Sequence, residues 1–240
     1  MKFLKGLGIA IGVIIVVAVL VLGYFGFVPG ISDVFGSNKP KDLGVTWTIA
    51  DYNSAHAKNG TTHTILTDGQ TPQDSIRFSG QHPVNTTYTQ AEFNALINYR
   101  QWEYYPLKDC QFKINPDKTV EFTGIIITSR VRGYMEALGT GENNLETVTN
   151  YLKYIPGNAA FDVKGRFEII NGQIVNTDLT TFKIGNLNLT NQMQDNLPAI
   201  VNGAYSQMNA YPGFKVNTLT FNNGQVQFNG TLPDSARTVK

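Results

Sequence analysis

From Gly6 to Val28 the chain carries no charged side chain, and its centre, Ile9 to Leu22, is apolar without interruption. Roughly 20 such residues rise about 30 Å as an α-helix, the thickness of a bilayer's hydrocarbon core. Backbone groups in lipid must find partners within their own segment, so a stretch like this is helical there despite its Val and Ile. Tyr24 and Phe25 stand where interfacial aromatics are expected. Residues 1–28 therefore read as a transmembrane anchor, with the membrane contacted through residues 6–28. A cleaved signal peptide fits less well. Its apolar region runs about 7–15 residues and ends in a small-x-small site, whereas this one continues into Gly23-Tyr24-Phe25-Gly26-Phe27. Lys2 and Lys5 precede the span, which places the N-terminus in the cytoplasm and the C-terminal domain outside it, at the cell membrane.

Residues 29–43 carry Pro, Gly, Ser and Asn without a period and read as a flexible linker. Residues 44–240 are enough for one ordinary domain with a sizeable core. Beyond the anchor stand 17 basic and 18 acidic residues, a net of −1. No run of like charge occurs, so nucleic acid is not an expected partner, because phosphate binding needs clustered Lys and Arg. Charged residues make up 15% of the chain, against about 25% in a typical soluble protein. Asn, Thr, Gln and Ser supply the polarity instead, which suits sheet surfaces and turns. The single cysteine, Cys110, cannot form a bridge within the chain and reads as a small buried residue at a strand start.

Two stretches 41 residues apart repeat one pattern: Trp47-Thr48-Ile49-Ala50-Asp51-Tyr52-Asn53-Ser54-Ala55 and Tyr88-Thr89-Gln90-Ala91-Glu92-Phe93-Asn94-Ala95-Leu96. Thr followed three residues on by an acid is a capping box, and the flanking aromatics stand at the ends of a hydrophobic staple. Both motifs are explained as helix starts, and neither acid is read as catalytic. The second helix carries Phe93, Leu96, Ile97 and Arg100 on one face. The first ends near Lys58-Asn59-Gly60.

A longer echo relates Tyr105-Pro106 through Gly124 to Tyr211-Pro212 through Gly230, with Val120-Glu121-Phe122-Thr123-Gly124 matching Val226-Gln227-Phe228-Asn229-Gly230. Each predicts a hairpin, the first turning at Asn115-Pro116-Asp117 and the second at Asn222-Asn223-Gly224. Between them, Asn143 and Glu146 predict a helix stopped by Pro156-Gly157, then a hairpin from Phe161 to Leu189 turning at Asn171-Gly172. A helix from Thr190 is expected to kink or start late at Pro198. A further strand pair is expected at Thr62–Leu66 and Ser75–Ser79. The fold class is α+β: an N-terminal transmembrane helix followed by antiparallel β-hairpins packed with amphipathic helices.

No catalytic signature accompanies this pattern. His56, His63 and His82 lack metal-ligand spacing and read as surface or turn residues. There is no Gly-x-Ser-x-Gly elbow, phosphate-binding glycine loop or His-Glu-x-x-His. The acids Glu136, Glu142, Glu146, Asp162, Glu168 and Asp178 are scattered. No cofactor or metal is implied. Aromatics are the suggestive feature. Tyr99, Trp102, Tyr104 and Tyr105 follow the second helix, and Tyr205 and Tyr211 fall near the last. They read either as core and rim or as a groove for an apolar or sugar ligand.

The run from Tyr88 to Leu96, Tyr105-Pro106 and the hairpin from Asn115 to Gly124 resemble a pattern in bacterial membrane-anchored extracytoplasmic proteins of unknown function. The closing Leu219-to-Gly230 hairpin resembles that of tubular lipid-binding domains. That resemblance implies a curved antiparallel sheet wrapped round a long helix and a lipid ligand; no binding residue is carried over with it. The reading favoured is a non-catalytic binding module for lipid or another apolar ligand. A structural or cell-envelope interaction protein without a cavity is the alternative. A hydrolase would need two acids, or a Ser/His pair, converging in one pocket.

Overall fold

The computed structural model describes residues 16–17, 20–21, 31–68, 71–139, 145–146, 158–195 and 197–240. Nearly all of the anchor read at 6–28 lies outside them. Val16, Val17, Leu20 and Val21 are helical and exposed. Among the described residues no helix is long and apolar enough to cross a membrane.

The order of elements is α1 (Ile31–Phe35), α2 (Ile49–Asn59), β1 (Thr62–Ile65), β2 (Ile76–Ser79), β3 (His82–Thr89), α3 (Gln90–Asn98), β4 (Leu107–Ile114), β5 (Val120–Ile126), α4 (Thr128–Ala137), β6 (Ala159–Ile170), β7 (Gln173–Ile184), β8 (Leu187–Asn188), α5 (Thr190–Gln194), α6 (Leu197–Ala210), β9 (Lys215–Asn222), β10 (Gln225–Leu232) and β11 (Ser235–Thr238). The α+β class holds, with the antiparallel hairpins in one curled sheet. Its order is β3-β10-β9-β6-β5-β4, with β7 on the other edge of β6 and β8 on β7.

The sheet curls because β6 is shared. Val120–Ile126 runs along Ala159–Gly165, while further on Ile169 reaches Leu219 of β9. Thus β5 and β9 leave the same edge of one long strand. The ladders shift register between Lys164 and Gly165 and between Asn229 and Gly230. Glycine is required there: a Cβ on Gly165 would lie 2.3 Å from Asp178 O, and one on Gly230 1.9 Å from Lys215 O.

All three hairpins form as expected. Two turn on Asn-Gly pairs in the left-handed region, Asn171 (φ 53°) with Gly172 (73°) and Asn223 (49°) with Gly224 (71°), the twist that a two-residue hairpin loop needs. The third turns at Asn115, whose N–H donates to Thr119 O. On the inner face Phe112, Ile114, Val120, Tyr88, Phe221 and Val226 bury themselves with Ala55, and Phe93, Leu96 and Ile97 of α3 pack on them. Phe93 and Phe112 meet at 4.8 Å and Phe112 and Phe221 at 5.5 Å between ring centres. Cys110 is buried, and burial, with the Asp109 charge behind it, pushes its thiol up to about 12.

Several expectations are corrected. The strands at Thr62–Ile65 and Ile76–Ser79 exist but do not pair with each other. β11 lies between them, parallel to β1 and antiparallel to β2, as a separate three-stranded sheet. The stretch 29–43 is not a free linker from Ile31 onward. It contains α1, and after it Leu43 and Val45 bury themselves against the outer face of β4 and β5. There Leu43 N–H donates to Gln111 Oε1 (2.7 Å), Lys41 N–H to Thr123 Oγ1 (3.1 Å), and Lys41 Nζ pairs with Glu121. Helix α4 was not expected. It has no capping side chain, and Gly133 interrupts its pattern because a Cβ would lie 2.2 Å from Tyr104 Cδ1. Of the helix expected from Asn143, only Leu145 and Glu146 are among the described residues, both helical. The interruption expected at Pro198 is present: the helix from Thr190 stops at Gln194 and α6 runs from Leu197, so Pro198 sits in its first turn, where its missing N–H costs nothing.

Candidate functional site

The two capping boxes set the walls of a cavity. In α2, Thr48 Oγ1 accepts from Asp51 N–H at 3.3 Å and Asp51 Oδ2 accepts from Thr48 N–H at 2.7 Å. In α3, Thr89 and Glu92 exchange the same bonds at 3.1 and 2.7 Å. The helices pack on each other through Glu92, which is buried and also accepts from Ser54 Oγ and Lys58 Nζ of α2, each at 2.6 Å. Burial works to raise the Glu92 pKa; the bonds from Lys58, Ser54 and Thr89 outweigh it and leave the carboxyl below its usual range.

Helix α3 is also fastened to the free edge of β4 by three amide side chains one turn apart. Gln90 Oε1 accepts from Ile114 N–H (2.7 Å). Asn94, fully buried, accepts from Phe112 N–H and donates to Phe112 O, both at 2.7 Å. Asn98 makes the same pair of bonds with Cys110, both at 2.9 Å. A helix thus supplies the hydrogen bonds a neighbouring strand would have made and protects the sheet edge.

Between these helices, the small sheet and the inner face of the curled sheet lies a cavity of about 750 Å³. Its deep wall includes Tyr88, Val216 and Ala236, all buried, with Phe78, Phe93, Leu96, Phe214, Leu219 and Phe228 half-buried around them. Its mouth is formed by exposed residues, Asn53 and Ala57 of α2, His63 to Ile65 of β1, and Tyr99 to Gln101 after α3. Ring pairs line one side of the mouth: Tyr52 with Tyr99 at 5.5 Å, Tyr52 with His56 at 5.7 Å and His56 with His63 at 4.9 Å. Loss of water on the cavity side, then the His56 and Arg100 charges, hold His63 down to about 4, so this ring is neutral at pH 7.

Of the six aromatics singled out in the sequence, Tyr99 and Trp102 line the cavity. Trp102 is anchored by its Nε1–H, which donates to buried Ser75 Oγ at 3.0 Å. The other four stand behind it or elsewhere. Tyr104 packs over Gly133. Tyr105 is strongly desolvated, its phenol pushed up by burial. Tyr211 stacks edgewise on the lining residue Phe78 at 5.7 Å. Tyr205 donates to Gly172 O and accompanies Val216 O, both at 3.0 Å, tying α6 to the hairpin turn. His56 and His63, read as surface or turn residues, are brought together at the mouth. Their sequence spacing gave no signal, because they lie on a helix and the strand that follows it. His82 instead bridges Asn59 O (2.8 Å) and Asp234 Oδ1 (2.9 Å).

Among the described residues no group of three His, Cys, Asp or Glu side chains is placed to hold a metal ion. Among the described lining residues there is no carboxylate and no serine. Comparison with family models, curated proteins and solved structures finds no match for this chain.

Proposed function

We propose that the chain is a membrane-anchored, extracytoplasmic, non-catalytic binding module whose cavity takes lipid or another apolar small molecule. The observation that carries this is the cavity itself. Protein interiors are close-packed, with few voids larger than a water molecule, while ligand sites run about 300–1,000 Å³ and are mostly apolar with a few polar groups. A space of about 750 Å³, walled by aromatic and aliphatic side chains with polar groups at one end, fits the second description. The curled sheet supports the likeness to tubular lipid-binding domains, although the longest described helix, Leu197–Ala210, is 14 residues, short for the central helix that likeness implies. The anchor reading rests on the uncharged span alone, and the orientation on Lys2 and Lys5.

Native mass spectrometry of gently purified full chain, with uptake of neutral N-phenyl-1-naphthylamine, tests this. The expected result is a co-purifying small molecule, or probe uptake that Leu96→Trp, which fills the cavity, weakens tenfold or more. A chain that carries nothing and takes up no probe is instead the structural envelope protein.

A further inference from the structure

Arg100 is the only Lys, Arg, Asp or Glu among the described residues that line the cavity. Arg100, His56 and His63 are the only titratable side chains other than tyrosines among its described lining residues. Arg100 stands exposed at the mouth, one residue beyond the exposed ring of Tyr99. Its Nε–H donates to Leu96 O at 3.1 Å, which seats the stem against the end of α3. Among the described residues the guanidinium has no carboxylate partner, although each of the acids Asp68, Glu92, Glu121, Glu136 and Asp234 has a basic one. Arginine presents five donors in a rigid planar fork that matches the oxygens of a carboxylate, sulfonate or phosphate. His56 and His63 stand nearby with further ring nitrogens, and the Arg100 charge is felt at His63. Opposite this end the walls are hydrocarbon. A neutral apolar ligand would leave the arginine unused; a cationic one would meet like charge. The cavity therefore has the polarity of an anionic amphiphile, apolar body inward and charged head at the rim.

We propose, building on the reading of this cavity as a binding site, that its ligand is an amphiphile with an anionic head. Arg100 holds the head, His56 and His63 stand beside it, and the body lies between Phe78, Phe93, Leu96 and Phe228. Arg100 selects the ligand and is not needed for folding.

Two probes that share one ring body separate the possibilities: neutral N-phenyl-1-naphthylamine and its anionic relative 1-anilinonaphthalene-8-sulfonate. Each is titrated into the full chain held in amphipol, and binding is read from the rise in the directly excited probe's own emission. Arg100→Gln is expected to weaken the sulfonate at least tenfold and leave the neutral probe within twofold, with the thermal midpoint unchanged. Arg100→Lys, which keeps the charge and loses the fork, is expected to recover part of the loss. Sulfonate binding unchanged by Arg100→Gln, or both probes weakened alike, overturns the assignment of the head while the cavity stands as a neutral apolar site. If neither probe responds to Leu96→Trp, neither lies in the cavity, and the binding reading falls together with the assignment.

Discussion

Helices α2 and α3 begin with the same sentence in sequence and end in different roles. Both open on Thr-x-x-acid with the full reciprocal capping box. Three positions then separate them. Along α3, Gln90, Asn94 and Asn98 recur every four residues and bind the edge of β4. The corresponding positions of α2 are Ile49, Asn53 and Ala57. Ile49 is 57% exposed, and Asn53 and Ala57 form part of the cavity mouth. Caps decide where a helix starts; the residues one turn apart on a face decide what it meets. A helix that closes a sheet edge must be rigid and buried. A helix beside the cavity mouth needs no such partner, and α2 is held by Glu92 of its neighbour, by Ala55 in the core and by His82 at its end.

The largest way to break this contrast is Asn94→Ala. It strips Phe112 N–H and O of their partners in a site with no solvent access. Each buried polar group left unmade costs about 1–3 kcal/mol, so urea unfolding is expected to show a loss of about 3 kcal/mol. Asn53→Ala, at the matching position, is expected to stay within about 0.5 kcal/mol. Equal losses would mean that the amide ladder does not distinguish the helices.

The next contrast lies in the two acids. Asp51 is partly exposed and serves only its own cap. Glu92 is buried and joins both helices. Glu92→Gln is expected to cost about 2 kcal/mol, because Lys58 loses its counter-charge in a partly buried pair; Asp51→Asn about 0.5 kcal/mol. The pH dependence has a definite sign. The folded pKa of Glu92 is lowered, so its contribution is present above the unfolded value near 4.3 and fades as pH falls through the folded one. Glu92→Gln should flatten the stability profile in that acid window, while Asp51→Asn leaves this part of it in place.

Much of the frame was legible because its signals are local. The capping boxes, the Asn-Gly turns and the alternation of Phe112, Ile114, Val120 and Phe122 each need only a few neighbouring residues. What was hidden depends on distant partners. Ser235–Thr238 is four residues long and gains its place by lying beside Thr62–Ile65, far back in the chain. Its insertion splits the strand pair expected there and builds one wall of the cavity. The spacing of Gln90, Asn94 and Asn98 was visible, but the strand edge it serves was not. The tyrosine cluster was a compositional signal, and composition does not say which rings face an empty space. Of the six singled out, Tyr99 and Trp102 do; Tyr104 was drawn away by the bare Gly133, and Tyr205 by two carbonyl oxygens.

The smallest contrast is at the C-terminal ends of the helices. Helix α3 runs out at Tyr99 with φ −88°, an ordinary conformation, and its cap N–H donates to Ala95 O. Helix α2 ends on Gly60 at φ 71°, left-handed, its N–H bonded to His56 O. A non-glycine residue there costs about 1–2 kcal/mol in backbone strain. The Cβ of Gly60→Ala would also approach His82 Nε2 to 2.8 Å, so the imidazole must give way and loosen its bond to Asn59 O. That bond, then the one to Asp234, raises the His82 pKa. Stability drawn from His82 is therefore full below the unfolded value near 6.5 and lost as pH rises through the folded one. Gly60→Ala is expected to lower stability by about 1–2 kcal/mol and to move the His82 titration, followed by NMR, downward toward the unfolded value. An unmoved titration would show that the ring keeps its bonds and that the whole cost is backbone strain, leaving α2 anchored at this end by the turn alone.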